Sequence, residues 1–382
     1  MKKKICLIGP AYPYRGGNAL FVAHVYEILS HKHEVTVINF TRLYPQILFP
    51  GTRQEDISKQ PVKVHPSVRL IDSLNPFTWI KTVRYIKKIN PDLVAFIWYQ
   101  PFFGFSLGTI AKLLKKQFHR KILFITENII SHEAMFYDKI LTKYALSATD
   151  KFLVLSDIVE KGIKNLYPNK KIYRSSLPIY DCYKFSCDLT KEQTRKILEI
   201  TLDKKVLLFF GYVRPYKGLM TLIEALHLLL KYDNNFYLLI VGEFYESKEK
   251  YLKKINELGI EKSVKVIDKY VPNEDVGIYF TCADLVVLPY RSATQSGILN
   301  IAYGFRKAVV VTNVGGLPEF VEDGKTGFIV EQGSPEALSE GIKKYFNASN
   351  FTNFPKNIET FIQQNSFNTI EKAFNNILNQ IS

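Results

Sequence analysis

Short apolar runs alternate with stretches of helical period along this chain, and the alternation occurs twice. In the first half, Lys3–Ile8, Glu34–Phe40, Leu93–Trp98, Lys121–Thr126 and Lys151–Leu155 are β-branched or aromatic runs of the kind that form buried parallel strands. Between them, Asn18–Ser30, Asn75–Asn90 and Ser106–Phe118 read as helices. The last of these is expected to turn Ile110, Leu113, Leu114 and Phe118 inward and Lys112, Lys115 and Lys116 outward. The rhythm breaks near Pro178–Asp188 and then resumes. Val206–Phe210, Phe236–Val241, Val264–Ile267, Leu285–Pro289 and Val309–Thr312 read as strands, and Gly218–Lys231, Lys248–Leu258, Asn273–Thr281 and Gly297–Gly304 as helices. Such alternation predicts two doubly wound α/β domains, over residues 1–180 and 188–357, with a closing helix within 358–382.

The length of 382 residues agrees with two domains, since single cores stop growing at about 250 to 300 residues. With 47% hydrophobic and 23% charged residues, the chain is neither disordered nor fibrous. Charge changes the picture more. Residues 1–187 hold 28 Lys and Arg against 13 Asp and Glu, whereas residues 188–382 hold 23 of each, so the whole excess of +15 lies in the first half. That half should be drawn to polyanions such as anionic lipid headgroups, a diphosphate-linked acceptor or nucleic acid. Two stretches carry the basic character together with aromatics: Trp79, Lys81, Arg84, Tyr85, Lys87 and Lys88, and the Lys112–Lys121 group. Basic amphipathic helices of this kind lie on anionic membranes.

Cys6, Cys182, Cys187 and Cys282 form no C-x-x-C pair, which argues against a zinc site or a disulfide framework and for a reducing compartment. The basic start Met1-Lys2-Lys3-Lys4 precedes an apolar run of about five residues, too short for a secretory signal, and reads as the approach to a first strand. The expected location is cytoplasmic, peripheral to the inner face of a membrane.

Three glycine-rich segments, each just past a strand, carry the candidate chemistry. Ligands of open parallel sheets sit outside the carboxyl ends of the strands. In Thr294-Gln295-Ser296-Gly297-Ile298-Leu299, small polar residues open a helix, and Val309–Thr312 then leads to a Gly315-Gly316 turn followed by Glu319. A helix start presents unpaired N–H groups that suit a phosphate, and Ser296 and Gly297 allow close approach. Glu319 reads either as a ligand contact or as an acidic residue in a first helical turn. In Gly211-Tyr212-Val213-Arg214-Pro215-Tyr216-Lys217-Gly218, two cations stand at a strand end beside a helix start, a setting that suits a pyrophosphate gaining charge as it leaves. Glu243, after the next strand, is placed to meet the same ligand. In Gly9-Pro10-Ala11-Tyr12-Pro13-Tyr14-Arg15-Gly16-Gly17-Asn18, Gly16 and Gly17 permit positive φ and close backbone approach. No D-x-D stands at a strand end, so no metal is expected, and phosphate charge is left to Arg214, Lys217 and helix dipoles.

Taken in order and spacing, these segments resemble the family 4 glycosyltransferases, retaining enzymes of GT-B architecture, over nearly the whole chain. The resemblance implies two Rossmann-like domains facing across a cleft, the second binding a UDP- or GDP-linked sugar and the first meeting a glycan or lipid-linked saccharide acceptor. It implies that the closing helix packs back on the first domain, that no cofactor is needed, and that Arg214 and Lys217 serve the leaving diphosphate. The loop with Gly16 and Gly17 would contact the donor phosphate; Gly218, Glu243, residues Thr294 to Leu299 and Glu319 would line the donor site. The family tends to have a histidine after the strand ending at Thr126. Here Glu127 holds that place and His132 follows five residues later, a pocket candidate grouped with Arg214 and Lys217 but not assigned as a base. Base recognition would fall at Asp268 to Val271.

Two departures stand out. Most members have arginine directly after the glycine, where this chain has Tyr212. The usual pair of glutamates, aligned on Val314-Gly315-Gly316, falls on Ala293 and Ile301, so T-Q-S-G stands in place of a carboxylate signature. A sugar-nucleotide epimerase of the same shape is the alternative enzyme. A nucleic-acid-binding protein would explain the charge, but no recognised module interleaves its basic and aromatic residues. A nicotinamide oxidoreductase lacks its G-x-G-x-x-G after the first strand.

Overall fold

The structure, a computed structural model, describes all residues except 1, 50, 52, 60, 61, 63, 64, 120, 130–135, 184–187, 348–352, 365–367 and 382. It divides into two compact units, residues 1–56, 63–178 and 367–382, and residues 57–62 and 179–366.

Unit one is built on a parallel sheet of β1 (Lys4–Ile8), β2 (Glu34–Arg42), β3 (Ser67–Asp72), β4 (Leu93–Trp98), β5 (Ile122–Thr126), β6 (Lys151–Val154) and β7 (Lys171–Arg174). Their order is β3-β2-β1-β4-β5-β6-β7. The central runs β4, β5 and β6 are buried along their whole length, which is why they read as continuous apolar segments. The edge strands β3 and β7 are half-exposed, and apolar patterning gave no sign of them. Helices α1 (Gly17–Ser30), α2 (Pro76–Ile89), α3 (Gly104–Lys115), α4 (Asp138–Leu146) and α5 (Asp157–Leu166) complete the layers. Asn75 caps α2 by accepting from Phe77 N at 3.1 Å, and Pro76 starts it. Leu113, expected inside, is exposed, while Leu114 one position on is buried.

Unit two opens with α6 (Lys191–Ile197) and continues through β8 (Lys205–Phe210), α7 (Leu219–Tyr232), β9 (Phe236–Val241), α8 (Glu249–Glu257), β10 (Val264–Ile267), α9 (Val276–Cys282), β11 (Leu285–Leu288), α10 (Gly297–Gly304), β12 (Val309–Thr312), β13 (Gly327–Val330), α11 (Pro335–Asn347) and α12 (Phe354–Gln364). Its parallel sheet runs β10-β9-β8-β11-β12-β13. The single closing helix expected within Ile358–Ile381 is in fact two helices, α12 in unit two and α13 (Asn368–Asn379) in unit one, where α13 packs on α1 and β7.

One buried ion cluster fixes the entry of the second sheet. Arg195 of α6 is fully buried, donating through Nη1 to the carbonyls of Leu202 and Lys204 at 2.8 Å each and through Nη2 to Asp284 Oδ2 at 2.6 Å. That same oxygen accepts from Val206 N at 2.8 Å, so one carboxylate joins α6 to the first turns of β8 and β11. Removing one partner of such a pair strands the other charge in a dry site. We expect Asp284→Ala to lower unfolding stability by about 3 to 5 kcal/mol in urea denaturation; a loss below about 1 kcal/mol would show that Arg195 is satisfied by carbonyls alone.

Candidate functional site

Four loops leave the carboxyl ends of β8, β9, β11 and β12, and glycines let their backbones meet. After β8, Gly211 (φ +95°) bonds Val241 O through its N–H at 2.9 Å, and Gly242 (φ +142°) presses so closely that a Cβ on it would lie 2.2 Å from Gly211 O. A Cβ on Gly218 (φ +70°) would lie 1.9 Å from Pro289 O, and one on Gly315 (φ +54°) 1.5 Å from Ala293 O. At these positions only glycine fits. Gly218 is therefore occupied with backbone packing against the loop after β11, and α7 begins one residue later, at Leu219.

Into the space above Gly211 comes Lys217. Its Nζ sits 3.1 Å from where a Gly211 Cβ would be, and Ile298 Cδ1 lies 3.5 Å from the same point. The lysine is buried, with its ammonium 5.6 Å from the ring centre of Tyr290. Burial first, and the neighbouring Arg214 charge second, push its pKa down from 10.5 to about 7. Arg214 is held by aromatics: its guanidinium lies 4.7 Å over Tyr245, on which Tyr212 also packs at 4.4 Å. The loops after β8 and β9 pair further through Val213 N to Glu243 O at 2.9 Å and Tyr245 N to Val213 O at 3.0 Å. Glu243 is buried within that pairing.

Ser296 caps α10, its Oγ accepting from Leu299 N at 3.4 Å and lying 3.5 Å from the Tyr290 hydroxyl. The serine hydroxyl is thus engaged by its own helix, and Leu299 is core. Thr294, Gln295, Gly297 and Ile298 remain at the mouth of that helix. Tyr180, in the segment entering unit two, is buried along α10, its ring 3.6 Å from where a Gly297 Cβ would be. Ala293 and Ile301, which hold the places of the absent glutamates, are both buried, and Ala293 O accepts from Gly316 N at 3.2 Å. Glu319 falls in a short 3-10 turn over Leu317–Phe320 rather than in an α-helix. Asp268 is drawn into the loops, accepting from Phe244 N at 3.3 Å and pairing with Lys248 at 3.2 Å.

In unit one, Gly16 (φ +100°) and Gly17 have nothing within 4 Å of an added Cβ, so they face open space. Asn39 fixes the start of their loop by bonding Ala11 N at 3.0 Å, Ala11 O at 3.1 Å and Tyr12 O at 3.0 Å. Glu127, past β5, is buried, and desolvation raises its carboxyl pKa to about 8, so it is mostly protonated at neutral pH. His132 lies outside the described residues. Tyr245, Tyr290, Tyr180 and Asn39 were missed by sequence reasoning; each acts through packing or backbone contacts that no local motif announces. Among the described residues, no group of three His, Cys, Asp or Glu side chains could hold a metal ion, and no helix is long and apolar enough to cross a membrane.

Comparison with known proteins places this geometry. Residues 190–361 match the family model "Glycosyl transferases group 1". The chain is 32% identical over 160 residues to D-inositol 3-phosphate glycosyltransferase of Corynebacterium glutamicum, covering 41% of this chain and 38% of that one. It is 30% identical over 161 residues to lipopolysaccharide 1,2-N-acetylglucosaminetransferase of Salmonella typhimurium, covering 40% of this chain and 42% of that one. The chain thus spans about two fifths of the length of these relatives. In structure it resembles Anabaena HepE, solved in complex with UDP, with a TM-score of 0.74 at 17% identity over 99% of this chain and all of that one. The fold is that of GT-B glycosyltransferase structures.

Because the unfolded chain keeps Lys217 protonated up to 10.5 while the folded chain releases the proton near 7, the unfolded state binds more protons between those values. Stability contributed by this site therefore rises with pH across that window, by at most about 1.4 kcal/mol per unit. We expect Lys217→Met to raise the thermal midpoint, and to do so more at pH 6 than at pH 9. An equal shift at both values would mean that the ammonium is solvated.

Proposed function

We propose that the chain is a glycosyltransferase of family 4 type that moves a sugar from a nucleotide donor to a lipid-linked or glycan acceptor, with retention of anomeric configuration and without a metal or other cofactor. The carrying observation is the meeting, above the bare backbone of Gly211, of the Lys217 ammonium with the start of α10, while Arg214 stands on Tyr245 beside them. A dry cation next to a helix start suits a diphosphate better than a neutral ligand, since charge-assisted bonds gain most where water is excluded. The relatives' names support the sugar transfer, and the complex of HepE with UDP supports a uridine nucleotide.

In this reading the bond between the anomeric carbon and the diphosphate oxygen breaks and an acceptor hydroxyl oxygen bonds to that carbon. The hydroxyl proton passes to the departing phosphate oxygen on the same face, so no side chain is required as base. Lys217 and Arg214 hold the growing charge of the leaving group, an electrostatic role that is among the largest single terms in such catalysis. Thr294 and Gln295, with the N–H groups of Gly297 and Ile298, take over the donor contacts that carboxylates make elsewhere. Glu243 meets the donor from the loop after β9. In unit one, Gly16 and Gly17 leave the loop after β1 open to close approach by an anionic group.

Binding of a diphosphate favours charged Lys217, so the free protein must take up a proton to bind above pH 7. UDP affinity, followed by titration calorimetry, should weaken by up to about tenfold per unit from pH 7.5 to 9, and Lys217→Arg should flatten the dependence. A flat profile in the wild type would remove that proton from the site. Turnover should fall by about 10²-fold or more in Lys217→Ala and in Arg214→Ala with the fold intact; wild-type rates in both would take the two residues out of the chemistry. Conversion of the donor without any acceptor would identify an isomerase instead.

A further inference from the structure

Unit one carries large apolar side chains in water, and they gather at one edge. Because every strand of its sheet is parallel, the helices that follow β3, β4 and β5 all begin at the carboxyl edge of that sheet, and α2 packs on α3 and α3 on α4. At these starts Phe77 is 81% exposed, Phe105 58%, Phe136 86% and Ile140 66%. Ile80 and Tyr137 are exposed beside them. The two aromatics that the sequence singled out on α2 are not among them: Tyr85 is half-buried, and Trp79 is buried, its Nε1 donating to Asp72 O at 2.7 Å.

Charge identifies what covers this rim. Lys81 and Arg84 are exposed on α2, Lys139 and Lys143 on α4, and Lys112 and Lys116 toward the far end of α3. Across residues 73–126 the sequence has nine Lys and Arg and a single acidic residue, Asp92. On α4 the one acid, Asp138, is buried. A protein partner would need a complementary acidic and apolar face of matching shape. A bilayer containing anionic lipid supplies negative headgroups over an apolar interior on any area, and requires of the protein only projecting apolar groups ringed by cations.

We infer that the helix starts of α2, α3 and α4 form a docking rim for an anionic bilayer surface, with Phe77, Phe105, Phe136 and Ile140 entering the headgroup region and Lys81, Arg84 and Lys139 meeting lipid phosphates. The rim lies on the same edge of the sheet as the loop of Gly16 and Gly17, so an acceptor head group at the membrane surface is presented to the edge where ligands of such sheets bind. The inference is independent of the donor: a protein that binds vesicles but not UDP fails the proposed function and keeps this one.

Co-sedimentation with phosphatidylcholine vesicles, with and without phosphatidylglycerol, tests it on the full chain. Binding is expected only to the anionic vesicles and should weaken with added salt. Replacing Phe77, Phe105 and Phe136 together by Ser, or Lys81 and Arg84 together by Glu, should lower the partition by about tenfold or more while leaving the thermal midpoint unchanged, since every altered side chain is exposed. Failure to bind anionic vesicles overturns the inference, as does equal binding to neutral ones or wild-type binding by both variants. A dimer lost in the triple Ser variant, with no vesicle binding, assigns the rim to a second copy and overturns it too.

Discussion

Backbone contact at the carboxyl end of the second sheet is the constraint from which the rest of that site follows. Gly242 on Gly211, Gly218 on Pro289 and Gly315 on Ala293 bring four loops together with no side chain between the chains at those points. The gap left above Gly211 is what Lys217 fills. A lysine placed there loses water, and its lowered pKa is a direct result of that loss. Stability is given up below the lysine's ordinary pKa to keep this group dry.

This constraint also shows how far the sequence could be read. The central strands were legible because both of their faces are covered, which makes β4 and β9 unbroken apolar runs and β12 nearly one. β3 and β7 were not, since partly exposed strands mix polar and apolar residues without a clean period, and β13 is only four residues long and opens on a glycine. Helices α4, α5, α6 and α11 likewise escaped: on α5, for example, only Val159 and Ile163 are buried, too few to mark a face by eye. The three glycine segments were located correctly as strand-end loops. What glycine does in them was only half legible: Gly16 and Gly17 face open space, whereas Gly218 and Gly315 are committed to backbone neighbours distant in sequence. Which of the two holds depends on a partner loop, and no local pattern carries that information.

The absent carboxylates gain a physical reading from the same contacts. Ala293 is buried, and its carbonyl receives Gly316 N–H while Gly315 packs against it, so the residue serves as the seat of the loop after β12. Ile301 is interior to α10. A carboxylate at either place would be buried. At Lys217, burial and then the Arg214 charge both act to lower the pKa.

A similar economy of charge runs through unit one, but with the signs arranged for a different purpose. Cations crowd the exposed faces of α2 and α3, which carry no acid, while the buried Glu127 is kept mostly neutral by desolvation. A neutral carboxyl at the end of β5 can donate a hydrogen bond where an ionised one could only accept, and so can meet a ligand oxygen that a histidine in its ordinary neutral form would meet with N–H. Above about pH 8 the carboxyl ionises and turns repulsive toward an anionic ligand, in the same direction in which Lys217 loses its charge. Each unit thus holds one desolvated side chain whose charge changes close to neutral pH, Glu127 near 8 and Lys217 near 7.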